Sequence, residues 1–400
     1  MAQLDPPDQP IAALIRAQQS SDPDAIVDTL SSAVATIGGS DVVLYLVDYA
    51  LEVLMPHPDD VPHGEPPGIA AVDGTMAGRA FVSLAPTAAE REDGWHVWVP
   101  VTERANRLGV LSMTLPSWDA DIEFFCTELG FAAAHLVIAS AQYTDLPHLL
   151  RRRQNLDLAA EMQWSLLPPL AFAAAGTTVA GLVEPAYEVG GDCFDYALNG
   201  GMLDLAIFDA VGHGLTSAVL ASLLMGAYRH GRRAGQGLLE LVTSIDAAVR
   251  RFPGNTPFAT ALLARLDLAQ GLLSWTTCGH PQPIVVRRGA ILAEVDVVTN
   301  LPLGLGHLVP TVGDIVEVSL EPGDGVLLYT DGVVEARNLD GEGFGTERLC
   351  DLLAREHRAG GAPQEVVRRL VRSALEHAGS IIRDDASMLY LRWDGSTALS

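Results

Sequence analysis

Four short segments in the second half of the chain set an aspartate at the end of an apolar, strand-like run. They are VGGDCFDY (189–196), AIFDAVGHG (206–214), LLYTDGVVEA (327–336) and RDDASMLYL (383–391). Aspartates at several strand ends suit a site for hard divalent cations such as Mg²⁺ and Mn²⁺, which take carboxylate, carbonyl and water oxygens rather than thiolates. Two such ions held close together can activate a water and neutralise phosphoryl oxygens, the requirement for hydrolysing a phosphomonoester against its very high uncatalysed barrier. Glycine close to three of these aspartates lets the backbone turn sharply or approach an ion. A lone Asp-Gly pair marks only a turn; the recurrence of the pattern in one region is what points to a site.

Other chemistries lack their residues. The chain has no GxSxG segment, and with no lysine at all it cannot carry the P-loop pattern GxxxxGK[ST]. Cys193 lies inside the first aspartate segment without an arginine-rich phosphate loop, which argues against a phosphocysteine intermediate. His213 in GHG and His280 in CGHPQP have the right titration range for protonating a leaving oxygen. Each equally suits a loop-orienting hydrogen bond, and both readings stand at this level.

The elements that must position these residues change character along the chain. VVLYLV (42–47), HVWVPV (96–101) and GVLSMTL (109–115) predict strands, and 121–142 an Ala/Leu-rich helix. From 170 to 395, strands flank helices at about 215–233 and 237–251. More strands run to 330, then helices near 346–357 and 363–378 and a last strand at 386–393. This predicts an α+β fold in two domains, as 400 residues exceed one ordinary core. Between them, TDLPHLLRRRQNLDLAAEMQWSLL reads as one helix that must stop at Pro168-Pro169. Leu149, Leu156 and Gln163, and Leu146, Arg153, Ala160 and Leu167, recur at heptad spacing, so a dimeric helix or a helix lying on a neighbour both fit.

Composition narrows the partners. The formal charge is −25, with every one of the 25 basic residues an arginine, and residues 1–140 alone hold 20 acidic against five basic side chains. Such a field argues against nucleic acid and anionic lipid as partners. The apolar run at 42–55 is broken by Asp48 and Glu52 and is too short to span a membrane. The N-terminus, MAQLDPPDQP, is acidic and Pro-rich where a secretory signal is basic and then apolar, so a cytoplasmic location is expected. Cys126, Cys193, Cys278 and Cys350 form no CxxC pair and are expected to be reduced.

The segments EMQWSLLPP, EPAYEVGGDCFDY, FDAVGHGLTSAVLA, FATALLARLDLAQGLLSWTTCGHPQPIVVRRG, LPLGL, LEPGDGVLLYTDGVVEARN and DDASMLYLRW, in this order over about 160–395, carry a family resemblance. The region resembles the bacterial metal-dependent serine/threonine phosphatases of the stage-II-sporulation and sigma-factor-regulation type, relatives of the type 2C phosphatases. The resemblance implies two antiparallel sheets sandwiched by helices, and two ions, Mn²⁺ or Mg²⁺. It assigns Asp192, Asp209, the carbonyl of Ala210, Asp331 and Asp384 as their ligands, with Asp209 bridging. Asp195 is expected behind the ligands or on a water, and Asp385 either in the site or holding a loop. The implied substrate is a phosphorylated anti-sigma-factor antagonist in a partner-switching pathway. A two-metal hydrolase of a small phosphoester and a non-catalytic partner-binding module are the alternatives.

DGTMAGRAF (73–81), WHVWVPV (95–101) and RLGVLSMTL (107–115) give the N-terminal region a resemblance to GAF sensor modules. That implies an antiparallel-sheet domain that binds a small molecule or serves only to dimerise. The expected organisation is therefore a GAF-like domain (11–143), a connecting signalling helix (144–169) and a phosphatase domain (170–395), in a homodimer.

Overall fold

The computed structural model describes residues 14, 22–57, 68–92, 94–184, 186–187, 190–253, 257–292, 299–308, 313–379 and 385–395. The chain divides into two compact units, 1–155 and 156–400.

The first unit is built on helix α1 (Ile26–Ala35), strands β1 (Ser40–Val47), β2 (Val53–Pro56) and β3 (Ala70–Ala71), helix α2 (Met76–Ser83), strands β4 (Thr87–Arg91), β5 (Gly94–Glu103) and β6 (Asn106–Leu115), and helix α3 (Ala120–Ser140). Its six strands pair antiparallel in the order β3-β2-β1-β6-β5-β4. Period-two alternation gives the sheet two apolar faces. Leu44, Leu46, Val97, Val99, Leu111 and Met113 pack with Leu30 of α1 and Leu129 and Ala133 of α3, whereas Val47, Leu54 and Val110 pack with Phe81 of α2. Among the described residues α3 is the one helix long and apolar enough to cross a membrane. Its buried side, with Cys126, Leu129, Leu136 and Val137, belongs to the core of this unit.

The single connecting helix expected over 144–169 is instead two short ones, α4 (Leu146–Leu150) and α5 (Leu158–Leu166). The break has identifiable causes. The Arg151 guanidinium donates to the Val47 carbonyl at 3.1 Å and lies 4.5 Å from the centroid of the Tyr49 ring, while Arg153 pairs with Glu52. These side chains tie 151–153 to the first unit. Asp157 then starts a new helix by accepting from the Ala160 amide at 2.7 Å, an N-cap. The heptad spacing read across 146–167 therefore does not lie on one continuous helix.

The second unit has two antiparallel sheets. One runs β15 (Val316–Ser319), β12 (Leu272–Cys278), β11 (Ala259–Asp267), β10 (Met202–Ala210), β9 (Asp192–Asn199); the other runs β14 (Ala290–Ile291), β13 (Ile284–Arg287), β16 (Asp324–Tyr329), β17 (Ala386–Trp393), β8 (Thr177–Glu184), β7 (Ala171–Ala174). Leu203, Leu205 and Ile207 of β10, Phe194 of β9, Val326 and Leu328 of β16, and Leu389 and Leu391 of β17 meet in the core between the sheets. The alternate residues Cys193, Ala206 and Phe208 face α6 (Leu215–Arg233) and α7 (Leu238–Val249). Helices α9 (Thr346–Arg358) and α10 (Pro363–His377) pack on the second sheet, and a short helix α8 (Asp331–Glu335) follows β16. Two antiparallel sheets between helical layers is the arrangement that the family resemblance implies.

Candidate active site

The inter-sheet stripes run out in polar side chains at one end of the sandwich. On β10 the apolar positions 203, 205 and 207 continue to Asp209; on β9, positions 196 and 194 lead back to Asp192. On β16, 326 and 328 lead to Thr330, and on β17, 391 and 389 lead back to Ser387 and Asp385. Because side chains alternate with period two, all of these belong to the inner faces. Asp192 and Asp209 are direct cross-strand partners in the antiparallel β9/β10 pair. Like charges so placed repel unless a cation lies between or beside them.

Asp192 is buried, and three groups fix it. The Thr330 hydroxyl donates to its Oδ2 at 2.7 Å, the Gln163 side-chain amide donates to its backbone carbonyl, and Asp385 accepts from its amide at 3.4 Å. Thr330 is itself anchored, its oxygen accepting from the Ser387 amide at 2.9 Å. Burial, then the charges of Asp385 and Asp209, hold the Asp192 carboxyl well above the usual carboxylate range, against the opposing pull of the Thr330 hydrogen bond. A cation bound here would reverse that bias, since metal ligands must be deprotonated.

The Asp385 carboxylate accepts from the Gly190 amide at 2.9 Å and so holds the loop that leads into β9. A β-carbon at Gly190 would collide with that carboxylate, and one at Gly191 with the Ala210 carbonyl, so the two glycines of GGD are close-approach positions. Asp331 begins α8 directly after Thr330 and is exposed. Asp384 lies outside the described residues. Among the described residues no group of three or more His, Cys, Asp or Glu side chains forms a complete metal cluster. What they supply is an opposed pair of carboxylates, a carbonyl at Ala210 and a third aspartate at the adjoining helix start: hard oxygen donors that fit Mg²⁺ or Mn²⁺.

Asp195 faces away from these carboxylates. Three residues beyond Asp192 on a strand, it points to the opposite face, where Arg229 donates to it at 2.9 and 3.1 Å and Arg232 at 2.9 Å. Arg229 also donates to the Leu166 carbonyl at 2.7 Å, and the Trp164 indole to the Ala186 carbonyl at 2.8 Å. Helix α5 is thereby stitched to the start of β9 and to the loop before it. Sequence reasoning did not find Gln163 and Thr330. Gln163 lies 29 residues from its partner, whereas Thr330 sits inside the TDG segment, where a buried hydroxyl before a candidate ligand is a readable signal.

His280 is buried and its Nδ1 lies 2.7 Å from the Thr260 hydroxyl, on the residue paired with Asp209 across β11. Burial pushes its pKa down to about 3, with the Tyr329 backbone opposing, so the imidazole is neutral and orients its surroundings. His213 stands exposed in the turn before α6. Burial, reinforced by Asp192 and Asp195, pushes the Cys193 thiol up and away from the nucleophilic thiolate.

Residues 199–394 match the family model described as Stage II sporulation protein E (SpoIIE); the span holds Asp209, Ala210, Asp331 and Asp384, and Asp192 lies just before it. The chain is 22% identical over 241 residues to the phosphoserine phosphatase RsbU of Bacillus subtilis, covering 60% of this chain and 70% of that protein. It is also 22% identical over 265 residues to Protein IcfG of Synechocystis, covering 59% of this chain and 41% of the relative's length. Among solved structures it resembles the RsbU and RsbW domains of Rv1364c from Mycobacterium tuberculosis at 26% identity and TM-score 0.50, over 57% of this chain and 63% of that one. The SiaA-PP2C domain of Pseudomonas aeruginosa shares the fold at 23% identity and TM-score 0.50, over 59% of this chain and 94% of that one.

Proposed function

We infer that the SpoIIE-family, PP2C-type domain of this chain is a metal-dependent protein serine/threonine phosphatase. The observation that carries the reading is Asp192: a buried carboxylate directly opposite Asp209 and beside Asp385, with like charges where a structural aspartate would have an arginine. Asp192, Asp209, the Ala210 carbonyl, Asp331 and Asp384 would hold two divalent ions, Mn²⁺ or Mg²⁺. When bound, the ions supply Lewis acidity toward the attacking water and the phosphoryl oxygens. The chain's own part is to hold these oxygens in place. Thr330 sets the Asp192 carboxylate, Asp385 fixes the Gly190–Asp192 backbone, and the neutral His280 steadies Thr260 beside Asp209.

The substrate in this reading is a phosphorylated anti-sigma-factor antagonist of a partner-switching pathway, supported by the similarity to a phosphoserine phosphatase and to a structure that pairs RsbU and RsbW domains. The first unit would act as a GAF-like sensor, with a small-molecule ligand or with dimerisation as its only role. Its continuous antiparallel sheet, and the Asp73-Gly74 turn leading into the Thr75-capped α2, support that reading.

The test is turnover by the purified chain with Mn²⁺, comparing kcat/KM for a phosphorylated antagonist protein with that for a small aryl phosphate. The phosphoprotein should be preferred, because contacts remote from the phosphate position it, and chelator should abolish both reactions. A higher value for the aryl ester would favour a small-phosphoester hydrolase, and activity in excess chelator would sink the metal mechanism.

A further inference from the structure

Helix α6 begins at Leu215, just after the turn that follows Asp209, and one of its sides lies outside the core. Leu220, Leu224 and Tyr228 are buried with Cys193, Ala206 and Phe208 of the first sheet. On the other side Leu215 and Val219 are 50% and 40% exposed, and Val211 in the preceding turn is 42% exposed. Steps of three and four residues carry the same side on through Ser222, Gly226, His230 and Arg233. The last three are exposed.

Two features of this side serve nothing within the chain. Glycine in the middle of a helix weakens it relative to alanine, yet a β-carbon at Gly226 would meet no atom within 4 Å. No neighbour in the chain requires a glycine there. The second feature is charge: all 50 Asp and Glu residues lie outside 210–239, a stretch that carries Arg229, Arg232 and Arg233. Arg229 and Arg232 share the one carboxylate of Asp195. In a chain of net charge −25, α6 is therefore an acid-free helix with a positive end.

Given the phosphatase reading above, we propose that the outward side of α6 docks the phosphoprotein substrate, an acidic globular protein. Position selects this occupant, because a phosphoserine delivered to Asp209 carries its protein across the surface bordering that residue, where Val211 and Leu215 stand. Charge selects it too. An acidic partner meets no like charge along α6 and an attractive one at its far end, which orients the approach. From Leu215 to Arg233 the helix spans about 27 Å, close to the diameter of a small domain. One globular partner can thus touch the apolar end beside the site and the basic end together, with its backbone closest at Gly226. A small phosphoester reaches neither end.

The test measures kcat/KM with Mn²⁺ for three probes: a phosphorylated anti-sigma-factor antagonist, a short peptide of its phosphoserine segment, and 4-nitrophenyl phosphate. Val219→Glu and Arg233→Glu should each lower the value for the phosphoprotein by about ten-fold or more, through KM, and leave that for the aryl ester within about two-fold. Arg233→Glu should also flatten the salt dependence of the phosphoprotein reaction. Gly226→Leu should weaken the phosphoprotein reaction likewise while the melting temperature holds or rises, since leucine favours helix; a residue needed only for folding would not behave so. Three outcomes would overturn the docking surface: phosphoprotein turnover unchanged in all three variants, a parallel loss of aryl ester turnover, or a wild type that treats protein and peptide alike. A dimer in sedimentation that dissociates in Val219→Glu would put a second copy there instead of the substrate. If wild type hydrolyses none of the three probes, the phosphatase reading itself falls.

Discussion

On the inter-sheet face of β9, Asp192 is buried among other carboxylates; on the helix-covered face, three residues on, Asp195 is gripped by Arg229 and Arg232. Both side chains are almost fully buried. Burying an anion without compensation is costly, so each position implies a cation. For Asp195 the cation is covalently part of the chain and always there. For Asp192 the nearest charges have its own sign, and the compensation must come from a proton or from an ion taken from solution. The same residue type, on the same strand, is paired within the chain on one face and set among like charges on the other.

The sharpest way to break this contrast is to neutralise the inter-sheet carboxylates. Asp209→Asn and Asp331→Asn should each lower metal-dependent turnover by about 10²–10³-fold, the scale of losing one preorganised electrostatic group, with thermal unfolding little changed. Full activity in either variant, measured at saturating Mn²⁺, would remove it from the site. On the other face the consequence should be inverted. Asp195→Ala strands two guanidiniums against β9 and should cost about 3 kcal/mol of stability in denaturant titrations, while the folded fraction keeps turnover within a few-fold. A large loss of kcat without destabilisation would place Asp195 with the ligands after all.

A smaller effect sharpens how Asp192 is held. Thr330→Val keeps the shape but removes the hydroxyl, and Mn²⁺ affinity by calorimetry should fall about 10–100-fold, as for other groups that orient a metal ligand. Thr330→Ser should restore most of it; equal behaviour of Val and Ser would mean that the hydroxyl does not orient Asp192.

The smallest effect is in proton linkage. Asp192 holds its proton more tightly folded than unfolded, so its contribution to the stability of the metal-free protein declines as pH rises from about 4, the unfolded value, through its raised folded value. Chemical denaturation in chelator should show wild type losing stability relative to Asp192→Asn across that window, by at most about 1.4 kcal/mol per pH unit. A difference constant with pH would mean that Asp192 is not the titrating group.

Much of this was readable before any coordinates. Apolar runs bounded by Asp192, Asp209 and Asp331 mark strand ends, and the helices of the second unit announce themselves by length and amphipathic spacing. Asp195 was misplaced although its position is legible: a three-residue step on a strand reverses the face. Its partners, 34 and 37 residues away on α6, are not legible without the fold. The break at 151–157 is an intermediate case. Asp157 followed by Leu-Ala-Ala-Glu is a readable helix start, but the pull of Val47, Tyr49 and Glu52 on Arg151 and Arg153 is long-range and outweighs local helix preference.

The hydrogen bonds from Thr330 to Asp192 and from Gly190 to Asp385 each cross from one sheet of the sandwich to the other at the same open end. That end of the seam is therefore held by three polar bonds, since the Asp192 amide also donates to Asp385, where the rest is closed by side-chain packing. Spreading the sheets there separates Asp192 from Thr330 and frees Gly190 in one movement. For an ion held at Asp192, escape and the local opening of the fold would then be a single event.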